Sequence, residues 1–434
     1  MSGPPTTRPP AGRPLAVRPP TARPLAVRPL AVRPLAALRR TADRIERRTP
    51  AHCDRAVDGL RALALLAVPA GHWMLGGFTL DADGGLHNAS PLSAFGGLAP
   101  AGWVLQMLGV FFLVGGYASV LSYRRRPGTA VAWLRGRVAR LGRPVLGVTA
   151  VWALAAPVLY AAGVPEATLR TAATLVIQPL WFVGVYVVVT ALTPYCVRAA
   201  GRLGGWAAAP LLVSVAVVDA LRYGPYADAV PSWVAVANIL PGWLFAYQLG
   251  VSWGERRIGR RGAWLLLAGG ALLFAVLLAV FHYPASMVGV PGAERTNSHP
   301  PSLLVPALAA AQSGAAILLR DRLARALARP ALWAPVVVIN LSAMTILCWH
   351  QSAMLAAAVP ASFAGGVAGL TTAPDTLAWI GQRLAWLPVF AVLLVAIARY
   401  ARRFEEPWTK ATAVRRTAAG ILAAGFAVFA LGLA

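Results

Sequence analysis

The chain of 434 residues is 58% hydrophobic with a mean hydropathy of +0.62, which excludes an ordinary soluble globular protein. Its formal charge of +25 would suit a nucleic-acid ligand, but most of the forty lysine and arginine residues fall in the N-terminal region or in alternate loops. The exceptions are Arg170, Arg222, Arg295 and Arg383. This alternation is the positive-inside pattern. We therefore expect a multi-pass protein of the inner (plasma) membrane, with a cytoplasmic N-terminus, the lipid bilayer as a partner and no nucleic-acid partner.

The first region, residues 1–50, is rich in arginine and proline. An Arg-Pro pair recurs at every fifth residue from Arg8 to Arg33. Because proline at this spacing is incompatible with a stable helix and the few leucines cannot form a core, we predict a disordered cationic tail on the cytoplasmic side.

Eleven apolar segments of helix length follow the tail. They predict an all-α, polytopic integral membrane protein with about ten to eleven transmembrane helices around a buried active-site cavity. Residues 51–410 would form the membrane domain, and 411–434 an additional C-terminal transmembrane helix. No cleavable signal peptide is evident, so we expect the first segment to act as an uncleaved anchor. The segments are 57–78, 101–122, 144–163, 172–197, 206–221, 232–253, 263–283, 302–319, 333–359, 377–399 and 417–434.

The first segment contains two ionisable residues, Arg61 and His72, eleven positions apart. On a helix this spacing is close to three turns, so both side chains share one face at ~16 Å separation, about half of a ~30 Å hydrocarbon core. Titratable groups at membrane depth usually face a protein interior or a water-filled cavity. The alternative is an arginine that extends to the interface and a histidine that ends the helix.

Several stretches along residues 54–410, taken together and in this order, resemble the acyltransferase-3 family of polytopic membrane O-acyltransferases. Arg61 and His72 match the two named positions of its Arg-x10-His signature. Arg137 and Arg140 match its arginine-rich segment, and His350 matches its late helix. The stretches are DGLRALALLAVPAGH from residue 58, GVFFLVGGY from 109, WLRGRVARLGRP from 133, LWFVGVYVVVTALTPY from 180, LCWHQS from 347 and FEEPW from 404.

Three positions depart from the family pattern. Gly115 stands where the family commonly has serine, Tyr186 where many members have glutamate, and Ser352 where proline is frequent. We therefore assign no serine or glutamate role in the helices of Gly115 and Tyr186.

The resemblance implies transfer of an acyl group, most simply acetyl or another short acyl, from cytoplasmic acyl-CoA to a hydroxyl of a saccharide or glycosylated small molecule. No cofactor is implied, because acyl-CoA is the donor substrate. Histidine suits base catalysis at neutral pH, its ordinary pKa being ~6.5, so His72 is the predicted general base. Arg61 would lie on the path of the donor, and both residues are predicted to be catalytic.

The other predicted site residues bind substrate. Arg137 and Arg140 are candidates for the CoA phosphates, because guanidinium binds phosphate in a bidentate manner; a cluster that only sets topology is an equal alternative. Trp181 lies in the family's tryptophan-containing helix. His350 can orient donor or acceptor, although an isolated histidine is more often a satisfied core residue.

Two other functions are compatible with many helices and buried polar groups. The first is a transporter or exporter of a lipid-linked or amphipathic molecule, although the two halves of the sequence show no convincing internal repeat and no matched pair of broken helices. The second is a non-catalytic membrane scaffold. We predict no metal site, because the histidines are scattered and no HExxH motif occurs.

Overall fold

The computed structural model describes residues 1, 3, 32–51, 53–225, 227–292 and 295–404. Most of the predicted tail, part of the FEEPW stretch and the last predicted segment lie outside these residues. The described part is helical apart from a single two-stranded hairpin. Its helices are α1 (Val32–Arg48), α2 (Arg55–Leu75), α3 (Pro91–Ala94), α4 (Ala99–Leu105), α5 (Leu108–Arg124), α6 (Ala130–Ala161), α7 (Glu166–Ile177), α8 (Trp181–Ala191), α9 (Thr193–Leu203), α10 (Ala209–Tyr223), α11 (Ile239–Gly254), α12 (Arg260–Ala279), α13 (Leu304–Ala326), α14 (Pro330–Leu341), α15 (Ala343–Ser362) and α16 (Leu377–Ala401).

Short 3-10 turns join several of these helices, and the hairpin pairs β1 (Gly77–Leu80) with β2 (Leu86–Ala89). The two strands are antiparallel, with Phe78 opposite Asn88. At the turn, the carboxylate of Asp81 accepts hydrogen bonds from His87 and from the backbone N–H of Gly85, which lower its pKa below the usual range.

Helix α1 corrects the prediction of disorder over its own residues. The last proline of the Arg-Pro repeat, Pro34, lies in the first turn of α1, where a missing N–H breaks no intrahelical hydrogen bond. No further proline occurs before Pro50, so a helix can form over the intervening residues. The helix packs against α14, and its residue Glu46 forms an ion pair with Arg55.

Seven helical segments of the described chain are long and apolar enough to cross a membrane, or eight if the bent pair α14–α15 is one span. These two helices meet at Ser342 with a bend of 76°. Helices α2 and α13, with 21 and 23 residues, are long enough but contain more polar residues. The chain is thus an all-α, multi-pass membrane protein.

Helix α6 differs from the predicted inner loop over residues 123–143. It begins at Ala130, where the Thr129 side chain accepts a hydrogen bond from the N–H of Ala132. Its 32 residues extend ~48 Å, well beyond a ~30 Å hydrocarbon core. The arginine-rich stretch is therefore helical, because alanine, leucine and arginine all favour a helix once the N-terminus is capped.

Small residues allow the closest helix contacts. In α5 and α11, Gly116 lies against the carbonyl of Tyr247, and Gly250 lies against the carbonyl of Leu113, so a Cβ at either glycine would overlap the facing backbone. Gly270 of α12 and Gly314 of α13 make a similar contact. Close backbone approach of this kind is how helices associate in a lipid environment.

The helix ends define two faces of the molecule. The arginine-rich face contains the N-terminal ends of α2 and α6 and the C-terminal ends of α5, α11 and α13. Arg124 bridges to Glu255 across this face, and Arg320 bridges to Asp54. The hairpin face lies at the other ends and contains β1–β2 and the parts 280–292 and 295–303 of the connection between α12 and α13. The N–H of Leu86 donates there to the hydroxyl of Thr168, which fixes the hairpin on α7.

Candidate active site

Helix α2 connects the two faces. At the arginine-rich face, Asp54 caps its N-terminus by accepting from the N–H of Val57. The second carboxylate oxygen of Asp54 accepts from Arg320 at 2.8 Å and from the hydroxyl of Tyr117 at 3.1 Å. One turn further along, Arg61 donates to Asp58 at 3.0 Å. This end of α2 is thus held by cations that pair with carboxylates.

A cavity of about 320 Å³ lies at the opposite end of α2, beside the hairpin. Its lining combines apolar side chains with a few polar ones, as is usual for small-molecule sites. The polar members include His72 from α2, Gln351 from α15 and His299 from the connection before α13. The indole of Trp181, at the start of α8, closes another part of the wall. The cavity therefore draws on several distant segments of the chain.

His72 is half-buried in the last turn of α2, which ends where the N–H of Gly76 donates to the carbonyl of His72. The Nε2 atom of Gln351 lies 3.2 Å from Nδ1 of His72. Gln351 is 2% exposed, and its Oε1 makes no hydrogen bond within the described residues. The imidazole is thus held by a neutral amide.

His350 precedes Gln351 and packs against the same histidine, with 5.1 Å between the two ring centres. It is completely buried, and its Nδ1 lies 2.9 Å from the carbonyl oxygen of Leu347. Because a carbonyl only accepts, Nδ1 carries the proton and Nε2 is an acceptor. That Nε2 is buried without a hydrogen-bond partner in the described part of the chain.

Arg383 of α16 holds the end of α2 on its other side. Its guanidinium is 1% exposed and donates to the carbonyl of Trp73 at 2.6 Å and to that of Gly76 at 2.8 Å. It also donates to the carbonyl of Gly369. No carboxylate among the described residues pairs with it. A cation at the C-terminal end of a helix is favourable because the unpaired carbonyls there are partially negative.

An aromatic cluster extends from the cavity into the core. Trp181 meets the His299 ring edge to face at 4.4 Å, and Trp243 packs behind it at 5.5 Å. Deeper in the cluster, Gly115 of α5 faces Tyr186 of α8, where an added Cβ would lie 2.7 Å from the phenol. Two of the departures from the family pattern are therefore direct neighbours, since the larger residue occupies the space that the smaller one leaves.

The structure brings together only part of the predicted site. His72 and Trp181 line the cavity, and His350 packs on His72. Arg61, which the sequence places on the same helix face as His72, lies outside the lining and pairs with Asp58. Arg137 and Arg140 also lie away from the cavity, on the arginine-rich half of α6.

The surroundings of Arg137 and Arg140 differ. Arg137 is half-buried, stacks on Trp133 at 5.2 Å and lies 3.5 Å from the hydroxyl of Ser119. Arg140 is exposed.

Three residues at the His72 end were not predicted to belong to the site. Gln351 is adjacent to His350 in the LCWHQS stretch, so the matched motif contained it. Arg383 was visible as an exception to the charge alternation. No sequence signal distinguishes His299, since its partners lie on other elements.

Comparison with known proteins agrees with the geometry. The acyltransferase-3 family model, described as an acyltransferase domain, matches residues 54–398. No curated protein and no solved structure gives a significant match to the chain. The matched range begins at the cap of α2 and ends within α16, so it includes His72, Trp181, His350, Gln351 and Arg383. Because this match covers well over half of the sequence, the chain belongs to the acyltransferase-3 family and is an acyltransferase acting on groups other than amino-acyl groups.

Proposed function

We propose that the protein is a membrane O-acyltransferase that moves a short acyl group, most simply acetyl, from cytoplasmic acyl-CoA to a hydroxyl of a saccharide or glycosylated acceptor. The observation behind this proposal is the position of His72. Its side chain borders the cavity, and its Nδ1 atom contacts the buried amide of Gln351. A titratable group in a largely apolar cavity suits general-base catalysis where water is scarce.

His72 acts on the acceptor. Its free ring nitrogen removes the proton of the acceptor hydroxyl as the oxygen attacks the thioester carbonyl carbon. The new C–O bond forms, the C–S bond breaks, and the thiolate of CoA leaves with the proton that His72 returns. The transfer uses only the acceptor hydroxyl and the thioester, so it requires no further reactant and no cofactor.

Gln351 selects the tautomer of His72. With Nε2 of the amide on Nδ1, the imidazole proton is on its own Nε2 and the ring cannot act as a base there. Rotation of the amide by half a turn places Oε1 on Nδ1–H and leaves Nε2 of His72 free. Base catalysis requires this second arrangement, and Gln351 is accordingly a positioning residue.

The remaining predicted residues divide between the two faces. Arg61, Arg137 and Arg140 are on the arginine-rich face, where they can bind the CoA phosphates of a donor that arrives from the cytoplasm. Trp181 and His350 are beside the cavity and position the acyl group or the acceptor. This division requires the donor's acyl end to extend along α2 toward the hairpin face.

The same proposal specifies the topology. If α2 and α13 also cross the membrane, the described part has ten spans, with the arginine-rich face and the N-terminus in the cytoplasm. The predicted last segment, 417–434, would be an eleventh. The lengths of α2 and α13 support this count.

The decisive experiment follows label from acetyl-CoA into an extractable product, using purified protein in proteoliposomes and membrane extract as the acceptor source. We expect His72→Ala to lower transfer by about 10²–10⁴-fold, the usual contribution of a general base. His87→Ala, in the exposed hairpin, is the matched control and should leave transfer unchanged. Normal transfer by His72→Ala would remove His72 as the base. If no acyl-CoA of any chain length were consumed or bound, the donor assignment would be wrong.

A second candidate function is a transporter of a lipid-linked or amphipathic molecule. The 76° bend between α14 and α15 favours it, because transporters often bind substrate at discontinuous helices. Efflux of an unmodified substrate from vesicles, insensitive to acyl-CoA, would support this function over the enzyme.

A further inference from the structure

A second cavity, of about 440 Å³, lies at the C-terminal end of α10 on the hairpin face. Its volume is within the range of small-molecule sites. Unlike the His72 cavity, it is lined by two arginines, Arg222 and Arg295, together with hydroxyl groups such as that of Ser232. These arginines are two of the four basic residues that break the charge alternation of the sequence.

Arg222 has an acidic neighbour that is already satisfied. The carboxylate of Asp219 accepts from the N–H of Leu303 at 2.6 Å, from the amide of Asn238 at 2.8 Å and from the hydroxyl of Tyr283 at 3.1 Å. Its distance to Nη1 of Arg222 is 3.7 Å, beyond a hydrogen bond. That Nη1 is buried and makes no hydrogen bond within the described residues.

Arg295 adds a second positive charge beside the first. Its guanidinium carbon lies 4.7 Å from the centre of the Tyr223 ring, and that of Arg222 lies 4.8 Å from the same centre. Arg295 is exposed and forms no ion pair with any described residue. Both guanidinium groups carry a positive charge, and the one described carboxylate within 4 Å of Arg222, that of Asp219, already accepts three hydrogen bonds. An anion in the cavity that both arginines line would be attracted by both charges.

The two cavities share a wall. Thr296 and His299 line both of them, and the hydroxyl of Thr296 donates to the carbonyl of His299 at 2.7 Å. His299 also meets Trp181 on the side of the His72 cavity. Only the short segment that contains Thr296 and His299 would therefore separate an anionic group near Arg222 and Arg295 from the His72 cavity.

We propose that this second cavity is a subsite for an anionic group of the acceptor, which makes the acceptor an acidic saccharide bearing a carboxylate or a phosphate. The inference rests on the proposed transfer to a saccharide hydroxyl and specifies its substrate class. Guanidinium groups bind both anions in the same bidentate geometry, so the two share one recognition chemistry. The hydroxyl that receives the acyl group would then lie on the neighbouring sugar, in the His72 cavity.

The test measures binding separately from transfer. Fluorescein-labelled disaccharides ending in glucuronate, in glucose 6-phosphate or in neutral glucose are titrated into purified full-length protein, and the Kd is read from fluorescence anisotropy. We expect at least one anionic probe to bind about 10-fold tighter than the neutral probe, a difference of ~1.4 kcal/mol. Tighter binding of only one of the two anionic probes distinguishes a uronate acceptor from a phosphorylated one. This preference should decrease as salt rises, because salt screens exposed charges.

The variant Arg295→Gln should remove most of the anionic preference and leave binding of the neutral probe unchanged. Arg295 is exposed, and the substitution removes its charge and its contact with the Tyr223 ring without opening a space in the core. Arg170→Gln is the matched control, since Arg170 is another exposed arginine on the hairpin face and, among the described residues, forms an ion pair with Glu166 alone. Equal affinity for all three probes, or equal weakening by the control, would overturn the subsite. Displacement of the anionic probe by an equal concentration of phosphatidylglycerol would assign the cavity to a lipid headgroup instead.

Transfer of label from acetyl-CoA, measured on the same samples, separates the two proposals. Transfer to neutral and acidic saccharides with equal KM would overturn the anionic subsite and leave the acyltransferase function intact. Selective anion binding that depends on Arg295, with no transfer to any saccharide, would overturn the acceptor class of the proposed function and keep the anion site.

Discussion

The two ends of α2 are held by opposite kinds of interaction. At the arginine-rich face, Asp54 and Asp58 pair with Arg320 and Arg61 in partly exposed ion pairs. At the His72 end, the described neighbours of the helix provide no carboxylate. The buried guanidinium of Arg383 donates to backbone carbonyls, and a neutral amide contacts the imidazole.

This difference follows from solvent access. Exposed ion pairs contribute little free energy because water and salt screen them, so either partner can be replaced with little loss of stability. A buried carboxylate beside His72 would instead add a charge to a poorly solvated cavity, at a large desolvation cost. Neutral partners hold the histidine without that cost. One end of the helix is therefore anchored through charge, and the other is positioned through dipoles.

The largest effect should come from Arg383→Met, which breaks the positioning of the His72 end. Three carbonyl groups lose their donor, and we expect a loss of about 2–4 kcal/mol in unfolding free energy, read from thermal unfolding in detergent. Arg399→Met, at an exposed position of the same helix, is the control. A thermal midpoint equal to that of the control would mean that Arg383 does not hold the helix end.

The next effect should come from Gln351→Leu, which removes the amide from Nδ1 of His72. We expect kcat to fall about 10- to 100-fold with little change in KM, because the ring loses its fixed tautomer. Gln351→Glu, which can still accept from Nδ1–H, should retain more activity than the leucine variant. Equal loss in both variants would indicate a packing role.

At the opposite end, Asp54→Asn should have a moderate effect on stability. The asparagine keeps the helix cap but loses the charge that pairs with Arg320, so we expect about 1 kcal/mol or less. Asp54→Ala removes the cap as well and should cost about 1 kcal/mol more. Thermal unfolding measures both, and transfer activity should not change. A larger loss from asparagine than from alanine would contradict the capping role.

The smallest stability effect should come from Arg61→Gln, since a partly exposed pair three residues apart on a helix contributes roughly 0.2–0.5 kcal/mol. If Arg61 binds the donor, the KM for acetyl-CoA should rise about 10-fold in the same variant, and Arg61→Lys should recover part of it. Steady-state kinetics with varied acetyl-CoA measures this rise. An unchanged KM would restrict Arg61 to its ion pair with Asp58.

Much of the helical content could be predicted from sequence, because an apolar segment of about twenty residues is long enough to cross a membrane as a helix. The spacing within α2 placed Arg61 and His72 on one helix face, although only His72 lines the cavity. Local features of the helices were harder to predict. Helix α6 begins near its Thr129 cap because good helix formers continue past the apolar stretch, and the bend at Ser342 interrupts a segment that hydropathy alone shows as continuous.

The partners of the site residues were the least predictable part. Gln351 is 279 positions from His72, and periodicity assigns a residue to a helix face without naming the helix that it meets. For the same reason, Arg383 was visible only as an isolated charge and His299 carried no sequence signal. The departures at Gly115 and Tyr186 looked independent in the sequence, yet the Tyr186 ring occupies the space that a side chain at position 115 would need.

The glycine contacts between α5 and α11 have a mechanical consequence. With backbone on backbone at Gly116 and Gly250, neither helix can slide or rotate without a collision, so the pair behaves as a fixed wall. We expect any widening of the molecule to occur away from this pair. The bent junction of α14 and α15, directly before the segment that bears His350 and Gln351, is the break between helices where we expect such a movement.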